Sequence, residues 1–251
     1  MFSVKNKVIL ITGSTRGIGK TLAIEFKKKG ATVIIHGRSE TICKKIAETI
    51  QCDFVSGDFS NELDVKNMAE TISMKYKKLD VLINNAGFEK HKKISEMDMN
   101  LYDSVQNVCV RSQYLLTSLL YPLLCNSDHG ASIINMSSIH QLVPVKSNSP
   151  YCMAKASMEM FSKVASLEFS KDNIRVNTLA PGAIKTDMNS EVIEAMGENN
   201  FKEWIPLGRV GKTNEIFGPA LFLASSASSY VTGTTLYVDG GYIQNLLRYE
   251  V

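Results

Sequence analysis

The sequence has no uninterrupted apolar run close to the ~20 residues that cross a bilayer. Its opening stretch, MFSVKNKVILITG, has no long apolar segment ending in a small-residue cleavage site. A cytoplasmic location is therefore the expectation. Cysteine is too sparse and too irregular for a disulfide framework. Cys43, Cys52, Cys109, Cys125 and Cys152 make an odd number with no CxxC spacing, and read as free thiols. His36, His91, His129 and His140 are scattered without metal-ligand spacing, so no metal is assigned. An excess of one charge is also missing. A net charge of +3 over 251 residues, with both signs interspersed, gives no reason to expect a nucleic-acid or membrane partner. No internal repeat, low-complexity tract or linker breaks the chain.

What is present is a regular alternation. The chain is 44% hydrophobic, enough for a sizeable core and against disorder. Short runs rich in Val and Ile at 7–12, 31–37, 52–58, 79–87, 131–138, 174–182 and 234–241 read as strands. Between them, segments such as GKTLAIEFKKKG, ETICKKIAETI, ELDVKNMAETISMKY, the stretch 99–125, SPYCMAKASMEMFSKVASLEFS and NEIFGPALFLASS have helical spacing. Strand–helix alternation of this kind predicts an α/β fold. The expected form is one Rossmann-type doubly wound domain over 1–251, with a mostly seven-stranded parallel sheet and helices on both faces. The least regular segment, about 183–212, reads as a mobile substrate flap.

The first strand runs directly into ITGSTRGIGK, which opens the first helix. Gly13, Gly17 and Gly19 allow backbone N–H groups to approach a pyrophosphate, and the helix N-terminus favours its negative charge. Gly13, Ser14, Thr15, Arg16, Gly17, Ile18 and Gly19 are thus the candidate cofactor loop. An acidic residue at the end of the second strand would hold the ribose 2′-hydroxyl of NAD. Here that place reads HGRSE, with Gly37 and Arg38. Arg16 and Arg38 together suit a 2′-phosphate, so NADP(H) is expected as the preferred cofactor, with NAD(H) as the alternative.

TGSTRGIG (12–19), NNAG (84–87), Ser138, YCMAK (151–155), PGAIKT (181–186) and the ending IPLGRVGKTNEIFGPALFLASSASSYVTGTTLYVDGG (205–241) together resemble the short-chain dehydrogenase/reductase family. The resemblance covers about residues 5–242. Within that family the chain looks most like bacterial glucose 1-dehydrogenases and 3-oxoacyl-carrier-protein reductases. It implies that Asp58, with Phe59 beside it, faces an adenine ring, and that Asn85, Ala86 and Gly87 line the adenosine ribose side. It further implies that Lys155 holds the nicotinamide ribose, with Pro181, Gly182, Ile184 and Thr186 around the carboxamide. A homotetramer, or a homodimer, is implied as well, with the 99–125 and 151–170 helices pairing between subunits.

The catalytic expectation rests on Ser138, Tyr151 and Lys155. Ser149 and Pro150 read as an N-cap and a first-turn proline, which places Tyr151 and Lys155 at i and i+4 on one helix face. An ammonium beside the phenol, joined by an oxidised nicotinamide, should lower the tyrosine pKa and make it an acid/base. Ser138 can steady the substrate oxygen. The family's fourth catalytic residue, an asparagine in the 99–125 helix, is Cys109 here, and Gln106, Ser112 or Gln113 are the side chains placed to brace the helix instead. The expected activity is NADP(H)-dependent hydride transfer between the cofactor and a carbonyl or secondary alcohol (CH–OH) of a small polar substrate such as a sugar, keto acid or keto ester. The alternatives are a 3-oxoacyl-thioester reductase and a non-catalytic NADP(H) sensor on the same fold. Phe88, Ile94, Val143, Met188 and Trp204 are candidate pocket walls. Lys90, His91, Lys92, Lys93, His140, Gln141 and Lys146 form an expected basic rim. The positions matching docking arginines for acyl-carrier protein hold His129 and Asp172, which weakens that partner.

Overall fold

The computed structural model describes residues 1–186, 190, 193, 194 and 197–245, apart from the side chains of residues 198 and 199. Seven parallel strands form the main sheet in the order β3-β2-β1-β4-β5-β6-β9, with every pairing parallel. They are β1 (Val8–Ile11), β2 (Thr32–Gly37), β3 (Asp53–Ser56), β4 (Val81–Asn84), β5 (Ala131–Met136), β6 (Ile174–Pro181) and β9 (Thr235–Val238). Each predicted strand is found, trimmed at its ends. LDVLINNAG pairs only over Val81–Asn84, and the residues beyond leave the sheet to form its upper edge.

Side-chain alternation explains why both faces are covered. Ile9, Ile11, Val33, Ile35, Val81, Ile83, Ile134 and Met136 point into one apolar layer. That layer is closed by α1 (Gly17–Lys28), α2 (Glu40–Ile50) and α8 (Phe217–Ala224). Leu10, Ile34, Leu82, Ala131 and Ile133 point the other way, onto α3 (Glu62–Lys75), α5 (Ser112–Cys125) and α6 (Ser149–Phe169). The period-2 pattern of each strand therefore sends alternate residues to two cores, as a doubly wound sheet requires.

The 99–125 stretch is not one regular helix. α4 (Met99–Gln106) passes through a single π-helical turn, Asn107–Arg111, into α5. The Ser112 N–H donates to the Asn107 carbonyl, five residues back. Taken as a unit, Met99–Cys125 is long and apolar enough to cross a membrane, which the sequence reading did not anticipate. Its apolar side packs on α3 and the sheet, the place of a core helix.

Two local expectations are corrected. Ser149 is the first residue of α6 rather than its cap, and Asn148 occupies the N-cap position, because Pro150 sits one place further into the first turn. The 183–212 segment is also more regular than expected among its described residues. β7 (Ile184–Lys185) pairs in parallel with β8 (Gly211–Lys212), and α7 (Glu198–Trp204) lies between them. Phe201 and Ile205 bury against Ile193, giving the segment its own small apolar centre.

Candidate active site at the upper edge of the sheet

The strand order reverses between β1 and β4, and a crevice for a ligand forms where such a reversal meets the C-terminal ends of the strands. Each candidate loop leaves the sheet at that edge. The glycine loop follows β1, Arg38 follows β2, Asp58 follows β3, and Asn85–Gly87 follow β4. Ser138 follows β5 and Gly182 follows β6.

The glycine loop is packed too closely for side chains. Gly13 has φ +62°, and a Cβ there would lie 2.7 Å from the Ala86 Cα. A Cβ on Gly19 would meet the Asn85 amide nitrogen at 2.5 Å. Asn85 fixes this approach by donating to the carbonyls of Thr12 (2.8 Å) and Gly13 (3.0 Å). The Thr12 hydroxyl accepts from the Asn85 and Ala86 N–H groups, so the β1 and β4 loops move as one. Asn85 is thus a brace beneath the crevice. At the N-terminus of α1, Arg16 supplies no side-chain cap, and the first turn holds no acidic residue. A helix end without a side-chain cap or a first-turn carboxylate suits an anionic ligand.

Arg16 and Arg38 are both exposed at this end. The carboxyl of Asp58 is held below the usual carboxylate range. Burial opposes the shift, but hydrogen bonds from Ser60 and the charge of Arg38 outweigh it. The Phe59 ring does not face the crevice, because it is buried and stacks on His36 with ring centres 4.5 Å apart. Thr186 comes within 3.7 Å of where a Gly17 Cβ would be, which brings the 181–186 loop against the glycine loop. These donors, cations and close backbone approaches fit a phosphorylated dinucleotide.

Ser138, Tyr151 and Lys155 converge beside that crevice. The Ser138 hydroxyl lies close enough to the Tyr151 phenol to favour its ionised form. It also accepts from the His140 N–H at 3.2 Å, which fixes its rotamer. Lys155 Nζ lies 5.3 Å from the centre of the Tyr151 ring and donates to the Met136 carbonyl at 2.8 Å. Ser137 donates to the Lys155 carbonyl at 3.0 Å, tying α6 to the end of β5. The tyrosine pKa departs from expectation. In the field of the protein alone burial pushes it up, with Glu89 and Cys109 adding to the rise and Ser138 opposing it. Burial also pushes the Lys155 pKa down. Positive charge brought by a ligand beside the phenol would act in the opposite direction on the tyrosine and lower its pKa.

Cys109 is fully buried on the π turn and contacts the Phe88 carbonyl at 3.5 Å through sulfur. The turn is held by its neighbours. Gln106 donates to the Pro150 carbonyl at 2.8 Å and Ser112 to the Phe59 carbonyl at 2.5 Å. Gln113 donates to the carbonyls of Ala86 and Val108.

The match to a family model, described as enoyl-(acyl carrier protein) reductase, runs over residues 13–243. The chain belongs to the short-chain dehydrogenase/reductase family. Among its relatives in this family is a 3-oxoacyl-[acyl-carrier-protein] reductase of Chlamydia trachomatis, 38% identical over 245 residues, covering 94% of this chain and 97% of the relative. A protein of the same name from Thermotoga maritima is 34% identical, with 96% and 99% covered. Among solved structures, a gluconate 5-dehydrogenase from Burkholderia cenocepacia in complex with NADP and tartrate superposes with a TM-score of 0.91 at 28% identity, covering 97% of each chain. The RhlG/NADP active-site complex of Pseudomonas aeruginosa gives 0.90 at 27%, covering 96% of this chain and 98% of that one.

Against the short-chain dehydrogenase/reductase pattern, two residues here escaped the sequence reading. One is His36, treated there only as a scattered histidine. The other is Glu89, two places after the NNAG motif. Its carboxylate accepts from the Asn148 amide at 2.7 Å, lies 3.8 Å from His91 Nε2, and acts on both Tyr151 and Lys155. The Asn148 Oδ1 beside it is buried without a hydrogen-bond partner among the described residues. The signal available in sequence was the place of Glu89 on a loop at the ligand-facing edge.

The expected pocket residues divide. Phe88 packs with Tyr151, Val105 and Ala154. Trp204 packs on Phe201 within the small apolar centre, Ile94 is exposed, and Met188 lies outside the described residues. Lys90, His91, Lys92, Lys93 and Lys146 are exposed, as a rim requires. Gln141 is not part of the rim, because its amide turns to the Tyr237 hydroxyl of β9 at 3.1 Å.

Proposed function

We propose that the chain is an NADP(H)-dependent carbonyl reductase, acting in reverse as a secondary-alcohol dehydrogenase. The observation that supports this most is the convergence of Ser138, Tyr151 and Lys155 beside an uncapped, glycine-lined helix end with Arg38 at its rim. In this reading Gly13 to Gly19, Asp58, Ala86, Gly87, Pro181, Gly182, Ile184 and Thr186 border the cofactor, with Asn85 bracing the loops beneath. Arg16 and Arg38 hold a 2′-phosphate through charge-assisted bonds. The cofactor supplies the hydride. Ser138 donates a hydrogen bond to the substrate oxygen and fixes where the carbonyl lies. Tyr151 delivers its phenolic proton to that oxygen as negative charge develops on it. The Lys155 ammonium stabilises the phenolate left behind, and Met136 and Ser137 keep the lysine in place. A raised pKa in the field of the protein alone keeps Tyr151 protonated, the form that reduction needs.

For the substrate, we propose a small molecule bearing hydroxyl groups near its ketone. Glu89 presents a carboxylate acceptor near Tyr151, which suits hydroxyl donors and opposes a carboxylate held close to the reacting carbon. A sugar or sugar derivative therefore fits better than a keto acid. Reduction of 3-oxoacyl thioesters is the second reading, supported by the names of the curated relatives. His129 and Asp172 speak against docking of an acidic carrier protein, since Asp172 is an acid and is engaged by the Tyr121 hydroxyl at 2.5 Å. NADPH oxidation over neutral sugars, keto acids, keto esters and 3-oxoacyl thioesters separates the readings. Turnover of a neutral hydroxyketone well above the others is expected, and a preference for thioesters would replace the first reading with the second. Assembly as a homotetramer or homodimer belongs to the same proposal, supported by exposed Tyr114, Met153, Met160, Val164 and Leu167 on α5 and α6.

A further inference from the structure

His36 is the penultimate residue of β2, buried at 2% exposure directly after the apolar run Val33–Ile35. A buried imidazole is costly unless both nitrogens are used. Here both are. The Gly13 N–H donates to Nδ1 at 3.1 Å, and Nε2 lies 3.1 Å from the Gly57 carbonyl. A backbone N–H can only donate and a carbonyl can only accept, so the ring is the neutral tautomer with its hydrogen on Nε2. One flat face stacks on Phe59. The backbone adds two more ties, from the Ser14 N–H to the His36 carbonyl at 2.9 Å and from the His36 N–H to the Ser14 hydroxyl at 2.9 Å.

We infer that His36 is a positioning residue for the cofactor: it locks the first residue of the glycine loop to the Gly57–Phe59 turn, so that the phosphate-facing loop and the adenine-facing turn are held in one fixed relation. This rests on the NADP(H) reading above. Because the Gly13 N–H is turned inward onto His36, the ligand-facing donors begin later in the loop, at the N-terminus of α1. Gly13 could not swing out to meet a ligand without leaving Nδ1 unpaired. The Gly57 carbonyl is one residue from Asp58, so the second hydrogen bond sets where that carboxylate sits. Neutrality is part of the device. A protonated ring would present N–H against N–H at Gly13. Burial opposes protonation and brings the pKa down to about 4, although the Gly57 carbonyl and Asp58 pull the other way.

Three variants test this through NADPH affinity and through amide hydrogen exchange at Gly13 in the protein without cofactor. In His36→Asn the side-chain oxygen overlays Nδ1 and can still accept from Gly13. In His36→Gln the amide reaches the Nε2 position and can serve only Gly57. His36→Phe keeps the stacking and neither hydrogen bond. His36→Asn, which keeps the Gly13 contact and loses the Gly57 one, should weaken NADPH binding by about threefold and leave exchange at Gly13 unchanged. His36→Gln and His36→Phe should weaken binding by about tenfold or more and speed exchange at Gly13, with the maximal rate at saturating NADPH within about twofold. If His36→Phe does not fold, the Asn–Gln pair carries the test. Equal affinities and equal Gly13 exchange in that pair would overturn the inference. An unmodified protein that fails to bind NADPH would overturn the cofactor reading instead, and the Gly13 exchange rates would then decide the loop contact by themselves.

Discussion

Arg38 is a residue whose single side chain decides much, and Cys109 one whose side chain decides little. Arg38 stands where an NAD-binding chain would carry an acid, and its charge acts on Asp58 at the end of the neighbouring strand. Arg38→Ala should weaken NADPH binding by about 1.5–3 kcal/mol, the size of a hydrogen bond to a charged group, and leave NADH binding nearly unchanged. Titration of both cofactors by their fluorescence measures this, and an equal loss for the two would remove the 2′-phosphate from the account. By its resemblance to the family, Cys109 takes the place of an asparagine. A thiol braces a helix bend weakly. The bend is nevertheless held at Gln106, Ser112 and Gln113, so the backbone at Cys109 keeps its place without an amide side chain. Cys109→Asn should therefore change the maximal rate by less than about fivefold, under 1 kcal/mol of barrier. A gain of about tenfold in steady-state turnover would mean that the thiol breaks a proton path.

At the scale of elements, the π turn between α4 and α5 matters most for the site. It takes one extra residue into a helical turn and swings Cys109, on the inside of the bend, towards Gly87 and Lys155. Gln113 holds it against the β4 loop, being fully buried and bonded to the Ala86 and Val108 carbonyls. Gln113→Leu leaves the Ala86 carbonyl without that donor inside the core, which costs about 1–3 kcal/mol. For a chain of this size each kcal/mol lowers the melting temperature by about 2–4 °C, so a fall of several degrees is expected by calorimetry. An unchanged melting temperature would show that the turn does not depend on Gln113. The turn was not legible in sequence, because α-helical periodicity over 99–125 continues through it and the carbonyls that hold it come from the loops after β3 and β4 and from α6. The paired strands β7 and β8 were missed for a related reason. Each is two residues long, too short for a period-2 pattern.

At the scale of the whole molecule, the parallel sheet and its two helical layers were legible, because most strands of the main sheet are short runs rich in Val and Ile that alternate with segments of helical spacing. The edge of the crevice was legible too, since Gly13, Ser138, Tyr151 and Lys155 belong to local motifs. What escaped depends on contacts between segments distant in sequence. His36 reaches Gly13 across 23 residues, and Asn148 reaches Glu89 across 59. The direction of the Tyr151 pKa escaped because it depends on burial, which helix spacing does not report. All these parts serve one act, delivery of a proton from Tyr151 to a substrate oxygen while the cofactor is held beside it. The most direct test is NADPH oxidation with one accepted ketone by the unmodified protein and by Tyr151→Phe, with the NADPH dissociation constant measured on both. The account predicts a fall in turnover of about 10² to 10⁴, the usual worth of general acid–base catalysis, with the dissociation constant nearly unchanged. Turnover in Tyr151→Phe close to that of the unmodified protein would mean that the proton comes from another group.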